Sequence, residues 1–424
     1  MTALLEDGTP RTTDTARVLV VSVDDHVGPR LLTQLREYCP PQHREAFDEH
    51  AARPRPGWTR ELHGFNPPQS TLDAIERTRL CDGQNDPHAR LRDLDADGVA
   101  AEVVFAGGQN GERIPFIGEG LGAVPGAGAA EDVQLQELGF HIYNHWLSDF
   151  LSVEPARHVG LAHIPIWDVD AAVREVEWAR SVGLKGVNLP APRSLWAPYN
   201  DDVYEPLWAA CEDLNMVLCS HAGGGDDPLG ASGRNASACF AAEINWLGRR
   251  SLWQLIFGGV FERHPGLKMV YTEQRGTWVP ATLRELDSIW RSPLYGRIRE
   301  DLPRSPSEYW ATNCYIGGSF IAPHEVAARH EIGLQNLMWG SDYPHQEGTW
   351  PNTLLAQRYA FSDVPEQDVR RILGLNALEV FDLDAAELQV VADRIGPTIA
   401  DIAEPVAEMP EHRGLAFREH ADFD

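Results

Sequence analysis

The sequence predicts an α/β chain folded as a (β/α)8 barrel, with long insertions after the first and second strands and a helical extension at the C-terminus. Three observations carry that prediction. Short apolar runs recur eight times, segments with helical periodicity separate them, and several runs end in carboxylate or imidazole side chains.

The first run, "RVLVVSV" at 17–23, has the β-branched content of a buried strand and passes straight into Asp24, Asp25 and His26. Then follow "AAEVVFA" (100–106), "HVGLAHIP" (158–165), "LKGVNLP" (184–190) and "MVLCSHA" (216–222). The series ends with "KMVYTE" (268–273), "NCYIGG" (313–318) and "LMWGSDYP" (337–344). Between them, stretches such as 168–183 and 200–215 repeat apolar residues at helical spacing. Alternation repeated eight times favours a closed parallel barrel over an open sheet. No GxGxxG follows the first run to suggest a dinucleotide fold.

Two connections are longer than a barrel needs. Residues 27–88 are rich in Pro, Arg and aromatic side chains, and residues 107–130 in Gly and Ala. Both leave the barrel at the C-terminal ends of strands, where barrel active sites form, so both read as lid or specificity elements. Within the first, 53–65 combines arginines with Trp58, His63 and Phe65, groups suited to holding a planar anion. The expected organisation is a tail at 1–16, the barrel at 17–386 and an extension at 387–424 that packs as an appended helix.

With 36 basic and 63 acidic side chains the formal net charge is −27, a field that repels nucleic acid and anionic membranes, so neither is expected as a partner. Six cysteines without a CxxC pair read as free thiols of a reducing compartment. Residues 1–16 show neither the charged nor the apolar region of a signal peptide, and no run is long enough to span a bilayer. The expected location is cytoplasmic.

A core strand that ends in two carboxylates and an imidazole needs partners for them. The fifth run ends in His221, the sixth in Glu273 with Arg275 beyond it, and the eighth in Asp342 with His345 beyond it. In a parallel barrel these tips face one mouth, and imidazole with carboxylate suits zinc or another divalent first-row ion. Coordination would offset the desolvation of charged groups at the end of a core strand. His158, His163 and His264 stand outside this pattern and read as structural residues.

The segments "VDDHV", "GLKGVNLPAP", "SHAGGG", "FERHPGLKMVYTE" and "MWGSDYPH" resemble the amidohydrolase-2 branch of the amidohydrolase superfamily, from about residue 17 to about 405. That branch contains aminocarboxymuconate-semialdehyde decarboxylase and related nonoxidative aromatic-acid decarboxylases. The resemblance implies one divalent metal, zinc first with manganese or another first-row ion as alternatives. It assigns Asp24, His26, His221 and Asp342 as the ligands, with Asp25 the spacer that faces away. The chain departs from the family pattern at Glu273, where the decarboxylases often have histidine, and at "GPR" after the first-strand motif.

The expected activity is removal of CO2 from a small carboxylated aromatic or unsaturated ring acid. Glu273 or His345 would deliver the proton to carbon, and Arg275 would neutralise the anionic substrate. The alternative is hydrolysis of an amide, lactone or ester, with Asp342 or Glu273 as the base. A plain ion pair between Glu273 and Arg275 is the structural alternative for both residues. A homodimer or higher homo-oligomer is expected.

Overall fold

The computed structural model describes residues 17–53, 69–117, 130–225 and 234–407, and within it the eight expected runs form one eight-stranded sheet. The strands are β1 (Val21–Val27), β2 (Ala101–Ala106), β3 (His158–His163), β4 (Gly186–Asn188), β5 (Val217–His221), β6 (Met269–Thr272), β7 (Cys314–Ser319) and β8 (Leu337–Gly340). Each pairs in parallel with the next in chain order. The last seam is an isolated parallel bridge between Asp25 and Tyr343. There Asp342 N–H donates to Asp24 O at 2.7 Å and His26 N–H to Tyr343 O at 2.6 Å. Sequential parallel strands joined at both edges make the expected (β/α)8 barrel.

The first strand departs from its expected span. The apolar pattern put it at 17–23, whereas β1 takes Asp24, Asp25 and His26 inside the strand. The pairing explains why. Ser22 faces Glu102 and Asp25 faces Val104, so the two residues between them face one residue of β2. This bulge resets the alternation of side chains. Val21 and Val23 pack in the barrel interior with Val103, Phe105 and Leu161, and after the bulge Asp24 and His26 turn to that same side.

Helices fill the outer layer. Val169–Ser181 starts on Asp168, whose carboxylate accepts the Ala171 N–H, and buries Ala172, Val176 and Ala179. The segment 200–215 divides into a 3-10 turn, Asp202–Tyr204, and the helix Glu205–Asp213, because Pro206 fits only the first turn of a helix.

The described part of the first insertion is helical, with Arg44–Ala52, Gln69–Arg79 and then Pro87–Ala96, and Leu31, Leu35 and Phe47 are fully buried. Trp58, His63 and Phe65 lie outside the described residues, as do 1–16, 118–129 and 408–424. The helix Ala385–Ile395, which the short helix Ile399–Ala403 follows, forms part of the barrel floor, with Leu388 and Ala392 buried against the cluster that holds Leu19, Val21 and Val103. All six cysteines are free, and no helix among the described residues is long and apolar enough to cross a membrane.

Candidate metal centre

Among the described residues, seven side chains able to ligate a metal gather at the C-terminal mouth of the barrel. They fall in three overlapping groups: Asp24 with His26 and His221, His26 with Asp342 and His345, and Glu273 with Asp342 and Glu347. Within each group the ligand atoms lie within 4.8 Å of one another.

The backbone is held in unusual shapes to place them. Glu273, Arg275 and Asp342 have φ of 57°, 53° and 59°, and Gln109 has 54°. A left-handed non-glycine residue costs on the order of 1–3 kcal/mol, which the surrounding structure must impose. Gly340 permits the close approach of β8 to β1, since a Cβ there would come within 2.8 Å of Asp24 Cβ.

The imidazoles are oriented from behind. His26 Nδ1 lies 3.0 Å from Ala106 O, His221 Nδ1 2.7 Å from Ala222 O, and His345 Nε2 2.8 Å from Gly107 O. A carbonyl only accepts, so these nitrogens carry the protons and the opposite nitrogens turn toward the cluster. There His26 Nε2 and His221 Nε2 are 3.2 Å apart, with Asp24 Oδ1 at 3.4 and 3.3 Å from them. Asp342 Oδ1 is 3.3 Å from His26 Nε2 and 2.9 Å from His345 Nδ1. Ser319 Oγ donates to the other oxygen of Asp24.

Among the described residues no hydrogen-bond donor serves Asp24 Oδ1, either oxygen of Asp342, or His345 Nδ1, although all are buried. Buried acceptors aimed at one another are costly unless positive charge stands between them. Imidazole nitrogens and carboxylate oxygens left open in this way fit a divalent metal ion.

The same field governs titration. Burial disfavours charge on His221 and His345, yet Asp24 and Glu273 raise the first to about 10, and Asp342 and Glu347 raise the second to about 10. Burial pushes Asp24 upward, but His221 and His26 pull it well below the usual carboxylate range. Glu273 moves the other way. Burial lifts it well above its ordinary value, and Asp342 and Asp24 add to that against His221.

Of the residues singled out in the sequence, Asp24, His26, His221, Glu273, Asp342 and His345 are brought together. The companion of Glu273 is His221, whose Nδ1 lies 3.5 Å from its carboxylate. Arg275, two residues on, acts on Arg249 and Glu325. His158 and His264 are structural, bound to Glu102 and to Glu205 and Glu212. Sequence reasoning missed Glu347 and Ser319. Ser319 ends β7 and follows the same strand-tip rule that found the others, while Glu347 sits in a loop and carried no signal of its own.

Behind the cluster, the fully buried Arg90 donates to both oxygens of Glu102 at 2.6 Å and to His26 O at 2.8 Å.

A parallel eight-stranded barrel with imidazoles and carboxylates converging at its C-terminal mouth defines a metal-dependent barrel enzyme. The family model described as amidohydrolase matches residues 85–383, and the chain belongs to that family. The match begins beyond β1.

A 2-amino-3-carboxymuconate-6-semialdehyde decarboxylase of Dictyostelium discoideum is 24% identical over 320 residues, 70% of this chain and 77% of the relative. A gamma-resorcylate decarboxylase of Rhodococcus jostii (strain RHA1) is 24% identical over 369 residues, 80% of this chain and 98% of the relative. Among solved structures, a 5-carboxyvanillate decarboxylase from Sphingomonas paucimobilis superposes with a TM-score of 0.61 at 18% identity, covering 87% of this chain and 100% of that one. A dihydroxybenzoic acid decarboxylase from Polaromonas sp. JS666, with bound manganese and 2-nitroresorcinol, gives 0.58 at 17% identity, covering 88% and 99%. The structural likenesses bear on the fold.

Proposed function

We propose that this amidohydrolase removes CO2, without oxidation, from a small carboxylated aromatic acid. The observation that carries the reading is the position of Glu273. Its carboxyl sits at the edge of the ligand cluster, 19% exposed, while Asp24 and Asp342 are fully buried. A nonoxidative decarboxylation needs an acid beside the anchored substrate: the C–C bond breaks, its electron pair stays on the ring carbon, and that carbon takes a proton as CO2 leaves. Glu273 would give that proton, a role its partly exposed position at the cluster's edge supports. The decarboxylases of gamma-resorcylate and 5-carboxyvanillate among the similar proteins support the same reaction.

Asp24, His26, His221 and Asp342 would hold the metal ion. When bound, the ion supplies a Lewis-acid anchor for an anionic oxygen of the substrate. We infer manganese in preference to zinc, because carboxylates outnumber imidazoles in the cluster and the similar dihydroxybenzoic acid decarboxylase carries manganese. Arg275, beyond β6, and Arg249, which donates to Gln274 O at 2.9 Å, would attract the anionic substrate.

The test is a panel of hydroxylated benzoic acids and unsaturated ring acids, with amides, lactones and esters alongside, given to the manganese-loaded enzyme in D2O. The expected result is CO2 release with deuterium at the vacated carbon. Hydrolysis of an amide, lactone or ester without CO2 from any acid would overturn the reading.

A further inference from the structure

The helix Ala236–Phe257, which joins β5 to β6, is apolar on its solvent side as well as on its packed side. Leu247, Leu252, Leu255 and Ile256 are buried in the core. The opposite stripe holds Cys239 and Ala242, both exposed, and Trp246, which keeps 48% of its surface open. Trp253 follows on the same stripe, only partly buried, 5.8 Å from the Trp246 ring. A helix on the outside of a barrel ordinarily turns charge to water, and one that is apolar all round is ordinarily covered. Here Glu243, Arg249 and Arg250 are the only charged side chains among 22 residues.

We propose that this face seats the same face of a second copy of the chain, the two helices running antiparallel about a twofold axis at Trp246. Glu243 and Arg250 stand on one edge of the stripe, one turn before Trp246 and one turn after it. Within a chain they are about 10 Å apart along the helix, too far to pair. The twofold axis exchanges the two positions, so Glu243 of each copy meets Arg250 of the other. Trp246 then packs on its own counterpart, and Cys239 comes beside Trp253. Arg250 already leans that way, its guanidinium carbon 4.9 Å from the centre of the Trp246 ring. Tryptophan and arginine side by side are the pair that most often anchors a stable interface.

Charge chooses the occupant. The chain carries −27, so two copies repel across most of their surfaces. This face sets two arginines against one acid, and two copies approach here with least repulsion. An acidic partner would meet Glu243 and a basic one the arginines, whereas the turned copy offers the opposite sign at both positions. A parallel pairing would set Glu243 against its own counterpart, which fixes the antiparallel sense.

The experiment reads the mass of the full chain by sedimentation velocity and needs neither substrate nor metal, so its outcome is separate from that of the decarboxylation reading. The expected result is a dimer. Glu243→Arg and Arg250→Glu each set like charges across the axis and should raise the dissociation constant by about 100-fold or more. Circular dichroism should show both variants folded. Mixing the two single variants should give a one-to-one heterodimer, because one face is then wholly basic and the other wholly acidic. An unaltered chain that stays monomeric overturns the proposal. So does a dimer that neither reversal weakens, or a pair of weakened variants that do not associate on mixing, since the copies would then meet elsewhere or in another sense.

Discussion

Asp25 Oδ1 accepts the backbone N–H of Tyr343 at 2.9 Å, so the residue between two first-strand ligand candidates holds the chain next to Asp342. The same oxygen accepts the hydroxyls of Ser341 at 2.6 Å and Ser22 at 2.8 Å. The bulge in β1 points Asp24 and His26 into the barrel and leaves Asp25 on the other face, where it fastens β8. One short segment therefore supplies candidate ligands from β1 and positions the ligand from β8.

Asp25→Ala should strand three donors, at about 1–3 kcal/mol for each buried group left unsatisfied. It should also weaken metal binding by about 10- to 100-fold, the scale seen when outer partners of a metal site are removed. Asp25→Asn keeps the accepting oxygen and should recover most of the affinity. Competition between the protein and a chelator for Mn2+ measures both variants. Equal affinity in the alanine variant and the parent would show that Asp25 does not position Asp342.

Glu273→Gln should keep the ion held by Asp24, His26 and His221 yet lower kcat by about 10²- to 10⁴-fold, the usual contribution of a positioned acid or base. The amide has nearly the same shape but cannot give up a proton. Initial rates of CO2 release, with metal analysis of the same preparation, separate the two effects. A near-normal kcat would leave Glu273 with a structural role beside His221.

Arg90→Met removes the donor to His26 O and leaves Glu102 buried with only His158 beside it. Breaking one side of a buried pair costs about 3–5 kcal/mol. Urea denaturation should show that loss, and adding Glu102→Gln should restore part of it by removing the uncompensated charge. If the double variant is no more stable than Arg90→Met, the loss comes from packing and not from charge.

Acid should weaken the fold through His163. Burial lowers its imidazole from 6.5 to about 4, so the folded chain favours the neutral ring. Its Nε2 lies 3.3 Å from Asn188 Nδ2, and Phe140 stacks on the ring. A depressed histidine costs nothing above pH 6.5, and stability falls as the pH drops from there toward 4, by about 1.4 kcal/mol for each unit of separation. Denaturation midpoints at pH 7 and pH 5 should differ less in His163→Gln than in the parent. An unchanged difference would place the acid sensitivity elsewhere.

The apolar runs at 100–106, 158–165, 216–222 and 268–273 read as strands and are strands, because local apolar pattern and β-branched content are properties of a few adjacent residues. The boundary of β1 was not legible. Asp24, Asp25 and His26 look like the end of a strand by polarity, and only their pairing with β2 and β8 keeps them inside it. Arg275 shows the opposite limit. Its spacing from Glu273 left a plain ion pair between the two open, and only the tertiary structure shows that the Glu273 carboxylate has His221 beside it while Arg275 lies near Arg249 and Glu325.

The sequence by itself determined the barrel and which strand tips bear metal-binding chemistry, since both follow from local periodicity and from the common direction of parallel strands. The tertiary structure alone decided that Ser319 holds Asp24, that Asp25 fastens the residues around Asp342, and that Glu347 joins the cluster. These contacts join residues separated by most of the chain, or by a turn whose path the local pattern does not encode. They exist only once the sheet has closed and the buried carboxylates must find partners.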